Sequence, residues 1–318
     1  MERFRRAVRA ATALVMLGMA VPALWVAPAQ AFTPPFNLRE VAPGVYVHLG
    51  KNVAFADVDH DDVANLGLVV GTRCAAVIDT GGSVATGRAF RAAVRDRTDK
   101  PVCYVINTHG HPDHVFGNLA FRQDGTVFVG NARLAADMAE RREGWIASGT
   151  RDLGPDPAAA IVSPTRGVES TATLDLGGRT LKLRAWPPAH TGADLTVLDE
   201  KTGTLFTGDL VFRDRIPALD GKLDGWLAVI PELETVPTKI VVPGHGPVGH
   251  ALAQDVAPEH GYLQTLRDDT CAYIGQGGDL AEAPARVMTR NARGWLLWTQ
   301  HQPLNVNHAF IELQWKCF

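Results

Sequence analysis

The segment Thr108-His109-Gly110-His111-Pro112-Asp113-His114 decides how this sequence is interpreted. Three histidines and one aspartate fall within six residues, directly after the apolar run 101–107, which predicts a strand. The glycine and the proline favour a tight, non-helical turn, which can aim the first two histidines at one point and the aspartate and last histidine at another. Imidazole and carboxylate groups are ligands that suit zinc.

Three further candidate ligands follow at the ends of predicted strands, each beside glycine or threonine. They are His190 in Ala-His-Thr-Gly, Asp209 in Thr-Gly-Asp and His245 in Pro-Gly-His-Gly. Glycine lets the backbone bend so that a neighbouring side chain reaches inward. The sequence therefore contains seven candidate metal ligands.

The order of these residues, together with Asp79-Thr80-Gly81, resembles the metallo-β-lactamase superfamily over about residues 40–250. The resemblance implies an α/β fold, an αβ/βα four-layer sandwich with a metal site at one edge between the two sheets. It also implies two Zn²⁺ ions, with iron as the open alternative because some enzymes of this fold use a single iron. The implied ligands are His109, His111 and His190 for the first ion, Asp113, His114 and His245 for the second, and Asp209 as the bridge.

The bridging aspartate narrows the activity that the resemblance implies. Lactamases of this fold usually carry Cys or Ser where this chain has Asp209, whereas glyoxalase-II-like and related hydrolases carry Asp. The expected function is a dinuclear zinc hydrolase that uses a metal-bridging hydroxide on a thioester, ester or related bond of a small molecule, with Asp113 orienting the hydroxide and relaying a proton. The alternatives are a β-lactamase and a non-hydrolytic metal-binding accessory protein of a periplasmic redox pathway.

A closer resemblance concerns segments outside the ligands. Residues 111–118, 208–215, 220–226 and 305–315 resemble the exported zinc metallohydrolases of quinoprotein relay systems and sulfur-oxidation clusters. This resemblance implies a quinoprotein or sulfur-oxidation pathway, with a quinoprotein dehydrogenase pathway partner.

Other polar residues are candidates for supporting the ligands. A carboxylate at the end of a buried strand can fix a ligand imidazole through its other N–H, and Asp79 is placed for this role. Capping of the turn at Gly81-Gly82 is an equally good interpretation of that aspartate. Thr191 and Asp194 are further candidates of the same kind.

Substrate contacts are predicted from position alone. His60 lies in the acidic loop 51–63, where enzymes of this fold carry a flap over the metals, and Arg213, Arg215 and Trp226 follow the bridging aspartate. An arginine can bind a carboxylate or sulfonate bidentately. A solvated loop and surface ion pairs are the competing interpretations.

The first 31 residues read as a secretory signal peptide. A basic start, an apolar stretch over 10–26 and Ala29-Gln30-Ala31 predict cleavage after Ala31, with an uncleaved anchor as the alternative. The mature chain, residues 32–318, is expected to form a single domain with a core over about 40–250 and a C-terminal extension over 251–318. It is expected to be secreted or periplasmic, without stable membrane association. A net charge of −3 leaves no electrostatic footprint for nucleic acid.

The remaining sequence is that of an ordinary globular protein, in which 46% of residues are hydrophobic. Strands mix with helices predicted at 83–97, 131–146 and 223–235, which favours two packed sheets with helices outside. Residues 307–315 fit a strand or a helix. Four cysteines allow three pairings; Cys74–Cys103 and Cys271–Cys317 are expected, with four buried free thiols as the alternative.

Overall fold

Two β-sheets pack face to face in the computed structural model, which describes residues 36–53, 62–123 and 125–317. The first sheet has the order β1 to β7: β1 to β4 pair antiparallel, and β4 to β7 pair parallel. Its strands are Arg39–Ala42 (β1), Val45–His48 (β2), Leu66–Val70 (β3), Ala75–Ile78 (β4), Val102–Ile106 (β5), Val127–Asn131 (β6) and Arg166–Val168 (β7).

The second sheet has the order β12-β11-β10-β9-β8, in which only β11 and β12 are parallel. Its strands are Thr171–Asp175 (β8), Thr180–Ala185 (β9), Leu195–Asp199 (β10), Thr204–Phe212 (β11) and Ile240–His245 (β12). Every residue of β10 and β11 is buried, as expected of strands covered on both faces.

Long helices cover the outer faces of both sheets, and short helices lie in the connections between elements. They are Val84–Arg95 (α1), Pro112–Val115 (α2), Leu134–Ser148 (α3), Thr150–Leu153 (α4), Pro157–Ala160 (α5), Leu223–Glu234 (α6), Leu252–Gly275 (α7), Ala283–Arg286 (α8) and Trp298–Leu313 (α9). Among the described residues, no helix is long and apolar enough to cross a membrane.

The apolar core follows these layers. Side chains such as Val69, Ile78, Leu183 and Phe206 fill the space between the two sheets. The outer face of the first sheet packs against α1 through residues such as Phe90. Helices α6, α7 and α9 pack on the outer face of the second sheet. The αβ/βα four-layer sandwich expected from the sequence is confirmed.

Local signals explain several element boundaries. Ser83 caps α1 because its hydroxyl accepts a hydrogen bond from the Thr86 amide at 2.9 Å. The helix predicted from residue 131 begins instead at Leu134, since Asn131 is still the last residue of β6. Residues 307–315, left between strand and helix, mostly belong to α9.

Both expected disulfides are formed, and no described cysteine is free. Cys74–Cys103 links the beginnings of the neighbouring strands β4 and β5, and Cys271–Cys317 ties the end of the chain to α7. The predicted signal peptide, residues 1–31, lies outside the described residues, as does His60.

Candidate metal centre

The candidate ligands converge at one edge of the two sheets. Four of them follow β5 in the first sheet, and three come from the second sheet: one from the β9–β10 connection, one from within β11 and one from the end of β12. They form two groups, each within 4.8 Å: His109, His111, His190 and Asp209; and Asp113, His114 and His245. Each group therefore joins residues of both sheets.

Donor spacing in the first group agrees with a single coordination sphere. The distance from His190 Nε2 is 3.0 Å to His111 Nδ1 and 3.4 Å to Asp209 Oδ2, and His109 Nε2 is 3.7 Å from that oxygen. Two donors on one tetrahedral zinc lie about 3.3–3.6 Å apart, given Zn–N and Zn–O distances of 2.0–2.2 Å. The observed distances of 3.0, 3.4 and 3.7 Å are distributed around this range, so the spacing is compatible with zinc.

The second group has similar spacing. Asp113 Oδ2 is 3.3 Å from His245 Nε2 and 3.6 Å from His114 Nε2. The two oxygens of Asp209 reach into this group as well, with Oδ1 3.2 Å from His114 Nε2 and Oδ2 3.3 Å from His245 Nε2. Asp209 thus stands between the two groups, at the position expected of a bridging ligand.

The nitrogen on the far side of each imidazole meets an oxygen atom. The pairs are His109 Nδ1 with Thr108 Oγ1, His111 Nε2 with Asp220 Oδ2, His114 Nδ1 with Asp79 Oδ2, His190 Nδ1 with the Ala218 carbonyl, and His245 Nδ1 with the Val63 carbonyl. A carbonyl or carboxylate oxygen only accepts, so the histidines facing one donate from that nitrogen and turn a lone pair towards the centre.

Those inward lone pairs face acceptors. His190 Nε2 and His111 Nδ1 are 3.0 Å apart, and His245 Nε2 faces two carboxylates. Furthermore, His109 Nε2, His114 Nε2 and Asp209 Oδ1 are buried atoms without a hydrogen-bond partner among the described residues. Buried polar atoms are rarely left unpaired, and acceptors do not attract one another. A cation between them resolves both problems, so these residues fit a divalent metal pair.

Electrostatics supports the same conclusion. Burial lowers the pKa of His109 well below its usual value and that of His190 to about 3, so both imidazoles are neutral, as metal ligands must be. For His114, burial acts in the same direction, but the carboxylates of Asp209, Asp113 and Asp79 outweigh it and raise the pKa well above the usual value. The same negative potential would attract a divalent cation, which would take the place of the inward proton of His114 and bind the lone pair that this proton otherwise occupies.

Two glycines make room for the bridging aspartate. A Cβ atom on Gly244 would lie 1.8 Å from Asp209 Oδ1, so a larger residue there would displace the carboxylate. Gly208 has φ +54°, and a Cβ atom there would lie 2.5 Å from Thr108 Cβ. Glycine is therefore required where β11 passes the turn that carries His109.

Asp79 lies behind both ligand groups. Its carboxylate accepts hydrogen bonds from the Thr108 amide at 2.8 Å, the Thr108 hydroxyl at 2.7 Å and His114 Nδ1 at 2.8 Å. The Thr108 hydroxyl in turn lies 3.0 Å from His109 Nδ1. One carboxylate therefore helps to orient a ligand of each group.

Thr191 and Asp194 brace the loop that carries His190. The Thr191 hydroxyl donates to Asp194 Oδ1 at 2.7 Å, and its amide donates to Oδ2 at 3.0 Å. Burial raises the pKa of Asp194 to about 7. These two residues support the loop, and their hydrogen bonds within the described part of the chain do not reach a ligand imidazole.

Sequence reasoning missed Asp220, which lies 2.9 Å from His111 Nε2 and accepts a hydrogen bond at 2.7 Å from Arg141 of α3. A carboxylate in this position fixes the ring orientation of a ligand. The one sequence signal for Asp220 was its place in the segment 220–226. That segment supports the family resemblance but does not point to a contact with His111.

The three described residues that were predicted to contact a substrate, Arg213, Arg215 and Trp226, lie in different surroundings. Arg213 is turned towards α7, where it pairs with Asp255 at 3.0 Å. Trp226 is fully buried and packs against His190 at 5.3 Å between ring centroids, so it supports a ligand and is not accessible to a substrate. Arg215 is buried beside His245.

Comparison with known proteins agrees with this fold and site. The family model described as "Metallo-beta-lactamase superfamily" matches residues 61–245. Among curated proteins, a linear primary-alkylsulfatase from Pseudomonas sp. (strain ATCC 19151) is 40% identical over 60 residues. That match covers 19% of this chain and only 11% of the relative.

Solved structures share the fold at low sequence identity. A metallo-beta-lactamase from Pontibacter korlensis has a TM-score of 0.59 and 22% identity, covering 72% of this chain and 98% of its own. A beta-lactamase domain protein from Burkholderia ambifaria has a TM-score of 0.63 and 18% identity, covering 90% and 89%. A sec-alkyl sulfatase has a TM-score of 0.61 and 17% identity, covering 88% of this chain and 50% of its own.

Proposed function

Since the chain belongs to the metallo-β-lactamase superfamily and is a metal-dependent hydrolase, we propose that it is an exported dinuclear zinc enzyme. Its substrate in this proposal is a small molecule with an ester, thioester or related bond. Water adds across that bond, and the products are an acid and an alcohol or thiol. A quinoprotein or sulfur-oxidation pathway is the proposed setting.

The convergence of the ligands on both sides of Asp209 carries the proposal. Seven donors from two sheets form two groups, and the inward nitrogens and oxygens face one another without intervening donors. Nitrogen and oxygen donors with this spacing suit zinc. His109, His111 and His190 would hold one ion, Asp113, His114 and His245 the other, and Asp209 would touch both.

Two such ions supply an activated water and polarise the bond to be cleaved. The protein's own contribution is orientation. Asp113 keeps a carboxylate at this site because the imidazoles of His114 and His245 hold its pKa below the usual range despite burial. An ionised carboxylate accepts a hydrogen bond from the attacking water and directs it towards the substrate. Asp220 and Arg141 hold the His111 ring in place from the exposed side.

Sulfate esters are a specific candidate within the "related bond" class. The curated relative matched over 60 residues is an alkylsulfatase. Because the match covers only 60 residues, sulfate-ester hydrolysis ranks as a second candidate, to be tested beside the hydrolysis of thioesters and carboxylic esters.

A substrate panel with metal analysis tests the proposal. Protein exported to the periplasm should contain about two zinc ions per chain by ICP-MS and hydrolyse at least one thioester, carboxylic ester or sulfate ester. Asp113→Asn should lower kcat, whereas Asp175→Asn, an exposed carboxylate paired with Arg73, should not. Nitrocefin turnover near 10–10³ s⁻¹, the usual enzyme range, would favour a β-lactamase instead. Two bound metals without any turnover would favour the accessory protein.

N-terminal sequencing tests export separately. The mature protein should begin at Phe32 and fractionate with the periplasm. A chain that retains Met1 and sediments with membranes would contradict this part of the proposal.

A further inference from the structure

Asn65 is a buried residue of the first sheet that contacts the turn carrying a ligand of the second sheet. It directly precedes β3 and is 5% exposed. Its Nδ2 donates to the Pro243 carbonyl at 2.9 Å and to the Gly246 carbonyl at 2.8 Å, and its backbone amide donates to the Gly244 carbonyl at 2.8 Å. One residue therefore holds three carbonyls of the turn around His245.

This turn needs hydrogen-bond partners from outside its own sheet. His245 is the last residue of β12, and the pairing of β12 with β11 shifts register on both sides of Gly208. Pro243 and Gly246 are buried, and a buried carbonyl that lacks a donor is costly. The two N–H groups of the Asn65 amide provide those donors.

The same short segment of the first sheet holds the imidazole ring. The carbonyl of Val63, two residues before Asn65, lies 2.8 Å from His245 Nδ1. Gly50 packs closely against Val63, since a Cβ atom on Gly50 would lie 2.4 Å from the Val63 carbonyl carbon, and the Gly50 amide donates to Asn65 Oδ1 at 3.1 Å. Residues 63–65 thus hold both the backbone and the ring of His245.

Asparagine suits this position because of its pattern of donors and acceptors. Its amide offers two N–H donors and one oxygen, and the contacts with Pro243, Gly246 and Gly50 use all of them. An aspartate of the same size has no donor when it is ionised, so two buried carbonyls would face a carboxylate. Such a substitution would displace the turn without removing any candidate ligand.

We propose that Asn65 is a positioning residue for the second ion, because it fixes the turn that presents His245 beside Asp113 and His114. The proposal rests on the metal-binding part of the proposed function. It adds to that function the residue of the first sheet that sets a ligand of the second sheet.

Metal affinity in Asn65→Asp tests the proposal. Titration with Cd²⁺ against a competing chelator follows the two ions as separate cadmium NMR signals, and the signal that is lost in His111→Ala identifies the first group. The dissociation constant of the second ion should rise about 10- to 100-fold, as for other contacts that orient a ligand, while that of the first ion should change less than about twofold. An unchanged affinity for the second ion would overturn the inference.

Asn131→Asp is the matched control. Asn131 is 2% exposed and ends β6; its Nδ2 donates to the carbonyls of Asp194 at 2.9 Å and Trp186 at 3.3 Å, and its Oδ1 accepts from the Arg133 amide at 3.0 Å. The same chemical change is therefore made in the connection that carries His190. The affinity for the second ion should stay within about twofold of the wild type. Equal weakening of that ion in both variants would show a general structural effect and would refute a specific role for Asn65.

Exchange of the His245 ring proton tests the same role without metal. In the metal-free protein, the Nδ1 proton bound to the Val63 carbonyl should exchange with water about tenfold faster in Asn65→Asp than in the wild type or Asn131→Asp. NMR measures this rate without turnover, so it decides the role of Asn65 even if the wild type binds fewer than two ions and the proposed function fails. An equal rate in all three proteins would contradict the proposal. If Asn65→Asp does not fold, Asn65→Ala removes the same donors without adding a charge, and the same changes are expected.

Discussion

Replacement of Asp79 by asparagine tests whether one carboxylate serves both metal groups. Asp79 has φ +54°, a conformation that asparagine tolerates far better than most residues, so the substitution removes charge without adding backbone strain. The amide has one acceptor oxygen instead of two, so one of the three donors from Thr108 and His114 loses its partner.

The expected effects follow from these contacts. A buried donor left without an acceptor costs about 1–3 kcal/mol, so the free energy of unfolding of the metal-free protein should fall by this amount. Loss of a carboxylate behind a ligand imidazole lowers metal affinity by about 10- to 100-fold, equivalent to about 1.4–2.7 kcal/mol. The site that contains His114 should weaken most, because the contact with that imidazole is direct.

Competition with a chromophoric chelator measures the two zinc affinities, and urea denaturation measures stability. Asp199→Asn is a suitable control, because this buried carboxylate pairs with Arg179 and makes no contact with the centre. It should lower stability and leave both zinc affinities unchanged. If Asp79→Asn binds two zinc ions as tightly as the wild type, the role assigned to Asp79 is wrong.

Three further predictions follow. His111→Ala should lose zinc and hydrolytic activity while His260→Ala, on α7, should lose neither; equal zinc contents by ICP-MS would refute the ligand assignment. Glu259 is fully buried and burial raises its pKa well above the usual value, so the folded state binds the extra proton. The unfolding free energy should therefore fall as pH rises above about 4.3, by at most about 1.4 kcal/mol per unit, and this slope should disappear in Glu259→Gln, as measured by urea denaturation across pH; parallel profiles would speak against it. Replacing both Cys271 and Cys317 by serine removes a disulfide that joins residues 46 positions apart, and it should lower the free energy of unfolding by about 4 kcal/mol in urea denaturation. A decrease below about 1 kcal/mol would contradict the view that the disulfide acts by restricting the unfolded chain.

The ligand-bearing turns were predictable because their chemistry is local. Three histidines and an aspartate within six residues, directly after a strand, leave few conformations open, and the structure brings them together with His190, Asp209 and His245. The two disulfides were predictable in part, since Cys74 and Cys103 lie at the beginnings of strands that become neighbours.

The supporting contacts were less accessible to sequence reasoning, because they join distant parts of the chain. Asp220 lies 109 residues from His111, and His301 lies 86 residues from Arg215. His301 has no ligand spacing in the sequence, and nothing local distinguishes Arg215 from Arg213, although the first is buried at the centre and the second pairs with α7. Only the packing of the folded chain distinguishes the roles of such residues.

The origin of the ligands in both sheets has a consequence for the life of the protein in the cell. Each candidate ion would fasten the two halves of the sandwich together, and a ligand that binds only the folded state adds its binding free energy to stability. Under zinc starvation this edge would lose the bonds to the metal and keep only its hydrogen bonds and apolar contacts, so it would open more often. We therefore expect scarcity of the metal to reduce the abundance of the protein through proteolysis, so that supply of the ion would regulate the amount of enzyme as well as its activity.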